Sequence, residues 1–145
     1  MLNLKMKANQ SRRGFTLIEI LVVVVILAIL AAVVVPNVIS RIKDAKVSAA
    51  ISDISTFESS IDQYKLDMGT DPETLDQLLT PPSPRGKWNG PYLKNLNHIP
   101  MDPWGNPYVY KTPGADGRDN DIYSDGPDGQ PGTSDDIQSW NMKGS

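Results

Sequence analysis

The 145-residue chain has no cysteine and a single histidine, His98. The first absence excludes structural disulfides, thiolate metal centres and a cysteine nucleophile. The second argues against a histidine-based zinc site and against a Ser-His-Asp triad. Helix breakers are scarce at the N-terminal end: of 11 Gly and 12 Pro, residues 1–68 contain only Gly14 and Pro36. The other half is short of apolar side chains instead. Residues 69–145 hold 19 of them beside 21 Gly and Pro, a composition close to that of low-complexity chains. Basic residues are few towards the C-terminus, where seven Asp between residues 113 and 145 face only Arg118 and Lys143. An acidic domain without a basic patch has no means of holding phosphates, so nucleic acid is not expected as a partner. The length allows one domain at most and leaves a large enzyme fold out of reach.

What the chain does have is one long apolar run. Residues 15–35 read FTLIEILVVVVILAILAAVVV, with only Thr16 and Glu19 polar. As a helix, 21 residues rise about 31 Å, close to a hydrocarbon core of roughly 30 Å. A chain this short has nothing in which to bury such a helix, so a membrane span is expected. Lys5, Lys7, Arg12 and Arg13 precede the run and no acid accompanies them. The positive-inside rule therefore keeps the start cytoplasmic and sends the C-terminal domain across. Ala28, Ala31 and Ala32 leave a cleaved secretory signal open, but the run is long for one and Gly14 sits ahead of it. Glu19 is a carboxylate within the span and is by default functional. Either it lies near enough to the interface to stay hydrated, or cutting after Gly14 creates an amine on Phe15 that neutralises it in a neighbouring subunit.

Beyond Pro36 the helical period continues. Val47, Ala50 or Ile51, Ile54, Phe57, Ile61, Tyr64 and Met68 step by three or four residues as one apolar stripe, and Gly69 stops it. A helix over residues 15–68 would be about 81 Å long. Pro36 removes one backbone donor and is expected to bend or open it locally. Asp71-Pro72-Glu73 suggests a short helix capped by Asp71, with Leu75, Leu78 and Leu79 inward. Residues 92–96, 108–111, 122–123 and 137–140 are extended candidates, and residues 102–107 a turn. Three short antiparallel strands on the helix stripe, closed by Trp104 and Trp140, make a small α+β domain.

Residues 125–136 place Asp125, Asp128, Asp135 and Asp136 within twelve positions. Such carboxylates repel unless a cation gathers them, and Gly-rich turns that expose carbonyls suit Ca²⁺. The spacing is not that of an EF-hand, and a solvated acidic turn is an equal reading of the residues alone. A membrane-anchored hydrolase using Asp125 and Asp128 would need a cleft that so small a domain hardly builds. An anchored calcium-binding module that never polymerises has no need of the Gly14-Phe15 site.

The run Ser11-Arg12-Arg13-Gly14-Phe15-Thr16-Leu17-Ile18-Glu19 resembles the class III signal of type IV pilins and type II secretion pseudopilins. The resemblance implies that residues 1–14 are a leader cut after Gly14, that Phe15 is then N-methylated, and that Glu19 is the fifth residue of the mature chain. Pro36 matches the family's helix-bending proline. Asp102-Pro103-Trp104-Gly105, Asp121-Ile122-Tyr123-Ser124 and Asp135-Asp136-Ile137 through Trp140 resemble the major pseudopilins in particular. By resemblance the fold is type IV pilin-like. Residues 15–35 form a transmembrane and filament-core helix, 36–68 its amphipathic continuation, and 69–145 a small periplasmic domain. The family's Ca²⁺ would be held by Asp128, Asp135 and Asp136 through side chains and by the carbonyls of Asp125 and Thr133. Asp125 departs from the apolar residue often found there. The implied role is an inner-membrane protein that homopolymerises into a periplasmic pseudopilus, with minor pseudopilins, a prepilin peptidase/methylase and an assembly platform as partners. A type IV pilin for adhesion, twitching or DNA uptake is the alternative; the absence of cysteine and the acidic loop favour the pseudopilin.

Overall fold

The computed structural model describes residues 14–142, and for residues 35–37 the backbone alone. Helix α1 (Leu17–Met68) is the dominant element, 52 residues long. The described residues fall into two compact units that divide between Ser40 and Arg41.

In the first unit every described side chain from 14 to 34 is exposed, including the whole apolar run. The helix opens two residues later than the run, because Thr16 caps it. Its assignment continues through Pro36, whose side-chain surroundings lie outside the described residues. The leader up to residue 13 lies outside them as well.

The second unit is built on the stripe. Ala50, Ile54, Phe57, Ile61 and Tyr64 are buried, with Val47, Ile51 and Met68 packed at the margins. This is the face expected from the three-and-four spacing. Gly69 ends the helix at φ +81°, a left-handed position that suits glycine. Against the stripe lies a three-stranded antiparallel sheet in chain order: β1 (Val109–Lys111), β2 (Asp121–Ser124) and β3 (Ile137–Gln138). The register pairs Tyr110 with Ile122 and Ser124 with Ile137. Ile122 and Ile137 point into the core, and Phe57 meets Tyr108 edge-on at 5.1 Å between ring centroids. The Tyr108 hydroxyl donates to Asp53 on the helix at 2.7 Å.

Three local expectations are corrected. The short helix is a 3₁₀ turn at Leu75–Leu78 with Thr74, not Asp71, at the N-cap position and no side-chain cap bond. Pro72 is buried instead, its carbonyl accepting from the Tyr110 hydroxyl at 2.8 Å, and Lys65 holds Asp71 at 3.4 Å. Residues 92–96 form no strand; Leu93 enters the core and the Tyr92 hydroxyl donates to Asp67. The tryptophan that closes the core is Trp88, which is buried and donates its indole N–H to the Gln77 carbonyl at 2.8 Å. Trp104, half-buried, packs against that core as expected, whereas Trp140 is 40% exposed. Trp140 packs on the outer side of the sheet against Tyr123, with the Arg118 guanidinium 4.3 Å over its ring.

The connection between β1 and β2 is tied by Asp121. Its buried carboxylate accepts from Arg118 Nε at 2.6 Å and from the Ala115 N–H at 2.8 Å. The Arg118 charge beside it holds that carboxyl below the usual carboxylate range.

Candidate functional site

Two places carry the residues singled out by sequence. The first is the start of α1. Thr16 and Glu19 form a reciprocal cap: the Thr16 N–H and hydroxyl donate to Glu19 Oε2 at 2.8 and 2.9 Å, and the Glu19 N–H donates to Thr16 Oγ1 at 3.3 Å. This is a capping box, which satisfies two helix-end amides at once. The Glu19 carboxylate therefore has partners within its own chain, besides the water or the neighbouring amine expected from the sequence. The pattern Thr-x-x-Glu was the signal. Phe15 stands immediately ahead, 84% exposed, and a Cβ placed on Gly14 would meet nothing within 4 Å. The Gly14–Phe15 bond thus sits on an open, non-helical stretch.

The second place is the acidic loop between β2 and β3. Three of its carboxylates converge on one hydroxyl. Thr133 Oγ1 lies 2.7 Å from Asp135 Oδ1, 3.1 Å from Asp136 Oδ1 and 3.4 Å from Asp128 Oδ1. One hydroxyl has one hydrogen to give, so most of that negative charge is unsatisfied by it. The Asp136 Oδ2 also accepts from the Gly132 N–H at 2.8 Å. Asp125 stands at the loop's inner end, its Oδ1 buried and without a hydrogen-bond partner. Burial, together with the charges of Asp136, Asp102 and Asp128, pushes its carboxyl up. At Gly126, φ +65°, an added Cβ would fall 2.4 Å from the Asp135 carbonyl oxygen, so the two ends of the loop touch backbone to backbone.

The structure brings together Asp128, Thr133, Asp135 and Asp136, with Asp125 at the rim of the same cluster. The Thr133 side chain occupies the centre. Among the described residues no three acidic or histidine side chains already surround an open metal-sized position. The donor set nevertheless fits a hard cation: carboxylate oxygens, backbone carbonyls and a buried oxygen with no partner. Sequence reasoning missed the loop's support. Asp102, from the turn before β1, accepts the Ser124 hydroxyl at 2.6 Å, and Ser124 in turn accepts the Gly126 N–H at 3.1 Å. The sequence marks Asp102 as a turn residue within the Asp102-Pro103-Trp104-Gly105 motif, but nothing in it ties that carboxylate to Ser124.

Comparison with known proteins covers both stretches of the chain. Residues 37–140 match the family described as type II secretion system (T2SS), protein G, and residues 9–35 the prokaryotic N-terminal methylation motif. A type II secretion system core protein G of Pseudomonas aeruginosa is 50% identical over 142 residues, covering 91% of this chain and 97% of the relative. One of Aeromonas hydrophila is 48% identical over 143 residues, covering 92% and 97%. Among solved structures, the major pseudopilin from the type 2 secretion system of enterohaemorrhagic Escherichia coli is 36% identical with a TM-score of 0.58. That match covers 74% of this chain and 97% of the other. With its folded part and its N-terminal motif both matched, and relatives of nearly equal length about half identical, the chain belongs to the type II secretion system protein G family, the major pseudopilins.

Proposed function

We infer that this chain is a structural subunit that polymerises into the periplasmic pseudopilus of a type II secretion system and helps export folded proteins across the outer membrane. The observation that carries the reading is the first unit, an apolar helix whose described side chains are all exposed, opening beside Gly14-Phe15. Apolar surface on that scale demands a cover, first lipid and then the same helix of other subunits. The protein G match over residues 37–140 favours this over a surface pilus. The chain sits in the inner membrane with residues 69–145 in the periplasm until assembly. A prepilin peptidase cuts after Gly14 and methylates Phe15. Minor pseudopilins and an inner-membrane platform join it in assembly. In the filament the Phe15 amine of a neighbour takes over the Glu19 carboxylate, and Pro36 lets the helix adjust its path. Mass analysis of the membrane-extracted protein should give a chain beginning at methylated Phe15. An intact Met1, or a start near Val33, would overturn the reading.

The acidic loop is read as a Ca²⁺ site held by Asp128, Asp135, Asp136 and the carbonyls of Asp125 and Thr133. The crowded carboxylates and the partnerless Asp125 Oδ1 support this. The ion would supply the positive charge that lets the two ends of the loop meet. Melting of the full chain in detergent should move upward with Ca²⁺ relative to chelator, since a ligand of the folded form alone raises apparent stability. An unchanged melt, or an equal shift with Mg²⁺, would remove calcium from the account.

A further inference from the structure

We propose that Asp102, acting through Ser124, is a positioning residue that sets how tightly the 125–136 loop takes calcium; this rests on the calcium reading above. Asp102 belongs to a turn 22 residues before Ser124. Its Oδ1 accepts the turn's own amides, Trp104 N–H at 3.0 Å and Asn106 N–H at 2.8 Å. Its Oδ2 reaches out of the turn to the Ser124 hydroxyl. Both side chains are buried, Asp102 to 4% exposure. A buried carboxylate is costly unless well hydrogen-bonded. The turn gives no reason for the charge, because the carbonyl oxygen of an asparagine would accept the same two amides. What asparagine lacks is a second acceptor facing Ser124.

That acceptor fixes a direction. With its one hydrogen committed to Asp102, Ser124 Oγ presents lone pairs to the Gly126 N–H. The relay grips the backbone on both sides of Asp125, the residue whose carbonyl is assigned to the ion. Gly126 is in turn pressed against the Asp135 carbonyl, so fixing Gly126 fixes the distance between the two ends of the loop. The same turn touches the loop again, since the Asn106 side chain lies 3.3 Å from where a Cβ on Gly129 would stand. The loop is thus clamped to a turn that supplies no ligand of its own.

The test uses the full chain in detergent micelles and calcium alone as probe, with the Kd measured by calorimetry and melting followed in chelator. Removing an outer partner of a metal site weakens affinity by about 10–100-fold. Asp102→Asn and Ser124→Ala should each raise the calcium Kd by about tenfold or more, and the double variant should be no weaker than the worse single variant. Two variants that bind calcium as the wild type does, yet melt lower in chelator, would overturn the proposal and leave a purely structural role. Additive losses in the double variant would overturn the relay. Failure of either variant to fold at saturating calcium would also overturn it, by assigning the pair to the core. A wild type that takes no calcium would instead refute the underlying metal reading, and it is measured first.

Discussion

Truncating Phe57 to alanine tests the register of the whole second unit. Phe57 is 1% exposed at the middle of the helix stripe and meets Tyr108 edge-on. Removing a fully buried Phe costs about 3–5 kcal/mol, the transfer term plus the cavity left behind, with the aromatic contact contained in that figure. A domain of this size has a total stability of roughly 5–15 kcal/mol. The loss is therefore about a fifth or more of what holds it folded. At about 4–5 °C per kcal/mol for a domain near 100 residues, the midpoint should fall by roughly 12–25 °C. The assay is thermal unfolding of the full chain in detergent, read by the fluorescence of buried Trp88. Leu66 is the control: it lies nine positions further along the same helix and is 84% exposed. Leu66→Ala should stay within about 0.5 kcal/mol of wild type. Comparable losses at the two positions, or a Phe57→Ala loss under about 1 kcal/mol, would refute the assigned face.

Two further outcomes follow from single contacts. Tyr110, whose hydroxyl donates to the Pro72 carbonyl, has its phenol pushed up to about 12 by burial and by the charge of Asp71. The neutral phenol therefore favours the fold fully below the ordinary tyrosine value of about 10, and this contribution is lost as pH rises towards 12. Ultraviolet titration should find its phenolate only in that upper range, and Tyr110→Phe should flatten the alkaline fall in stability; a phenolate near 10 in the folded chain would contradict the burial. At the other end, Thr16→Val removes the hydroxyl from the capping pair. Amide exchange over residues 17–20 should quicken in Thr16→Val and stay near wild type in Thr16→Ser; equal protection in all three would show that the cap does not hold this helix end.

The helix and its buried face were legible because a 3.6-residue period is written directly in the spacing of Ala50, Ile54, Phe57, Ile61 and Tyr64. The three strands were legible from short β-prone runs between Gly- and Pro-rich turns. Local chemistry failed where long-range packing decided. Asp71 has the look of a cap, but Tyr110 arrives from β1 to bond Pro72, and the turn starts later, at Thr74. Trp88 could not be told from Trp104 or Trp140, because burial depends on where the chain returns to the helix. The carboxylates of the loop were legible as a group; the Thr133 hydroxyl at their centre and the Asp102 support were not. The Glu19 cap is written as Thr-x-x-Glu, a local pattern that does not depend on the cost of a charge in lipid.

The sheet is a meander, and this has a kinetic side. Each strand pairs only with its neighbour in the chain, so no long crossover must form before hydrogen bonds are gained. The two closures differ in character rather than length, since closing cost changes little between loops of nine and twelve residues. The first closes around the Arg118–Asp121 ion pair; the second must draw Asp125, Asp128, Asp135 and Asp136 together. Beyond it β3 contributes only two residues to the ladder. Within the sheet, the last strand is therefore the one expected to open first. Redocking must bring those carboxylates together again, so ions that screen their repulsion should shorten the time this end of the subunit stays open.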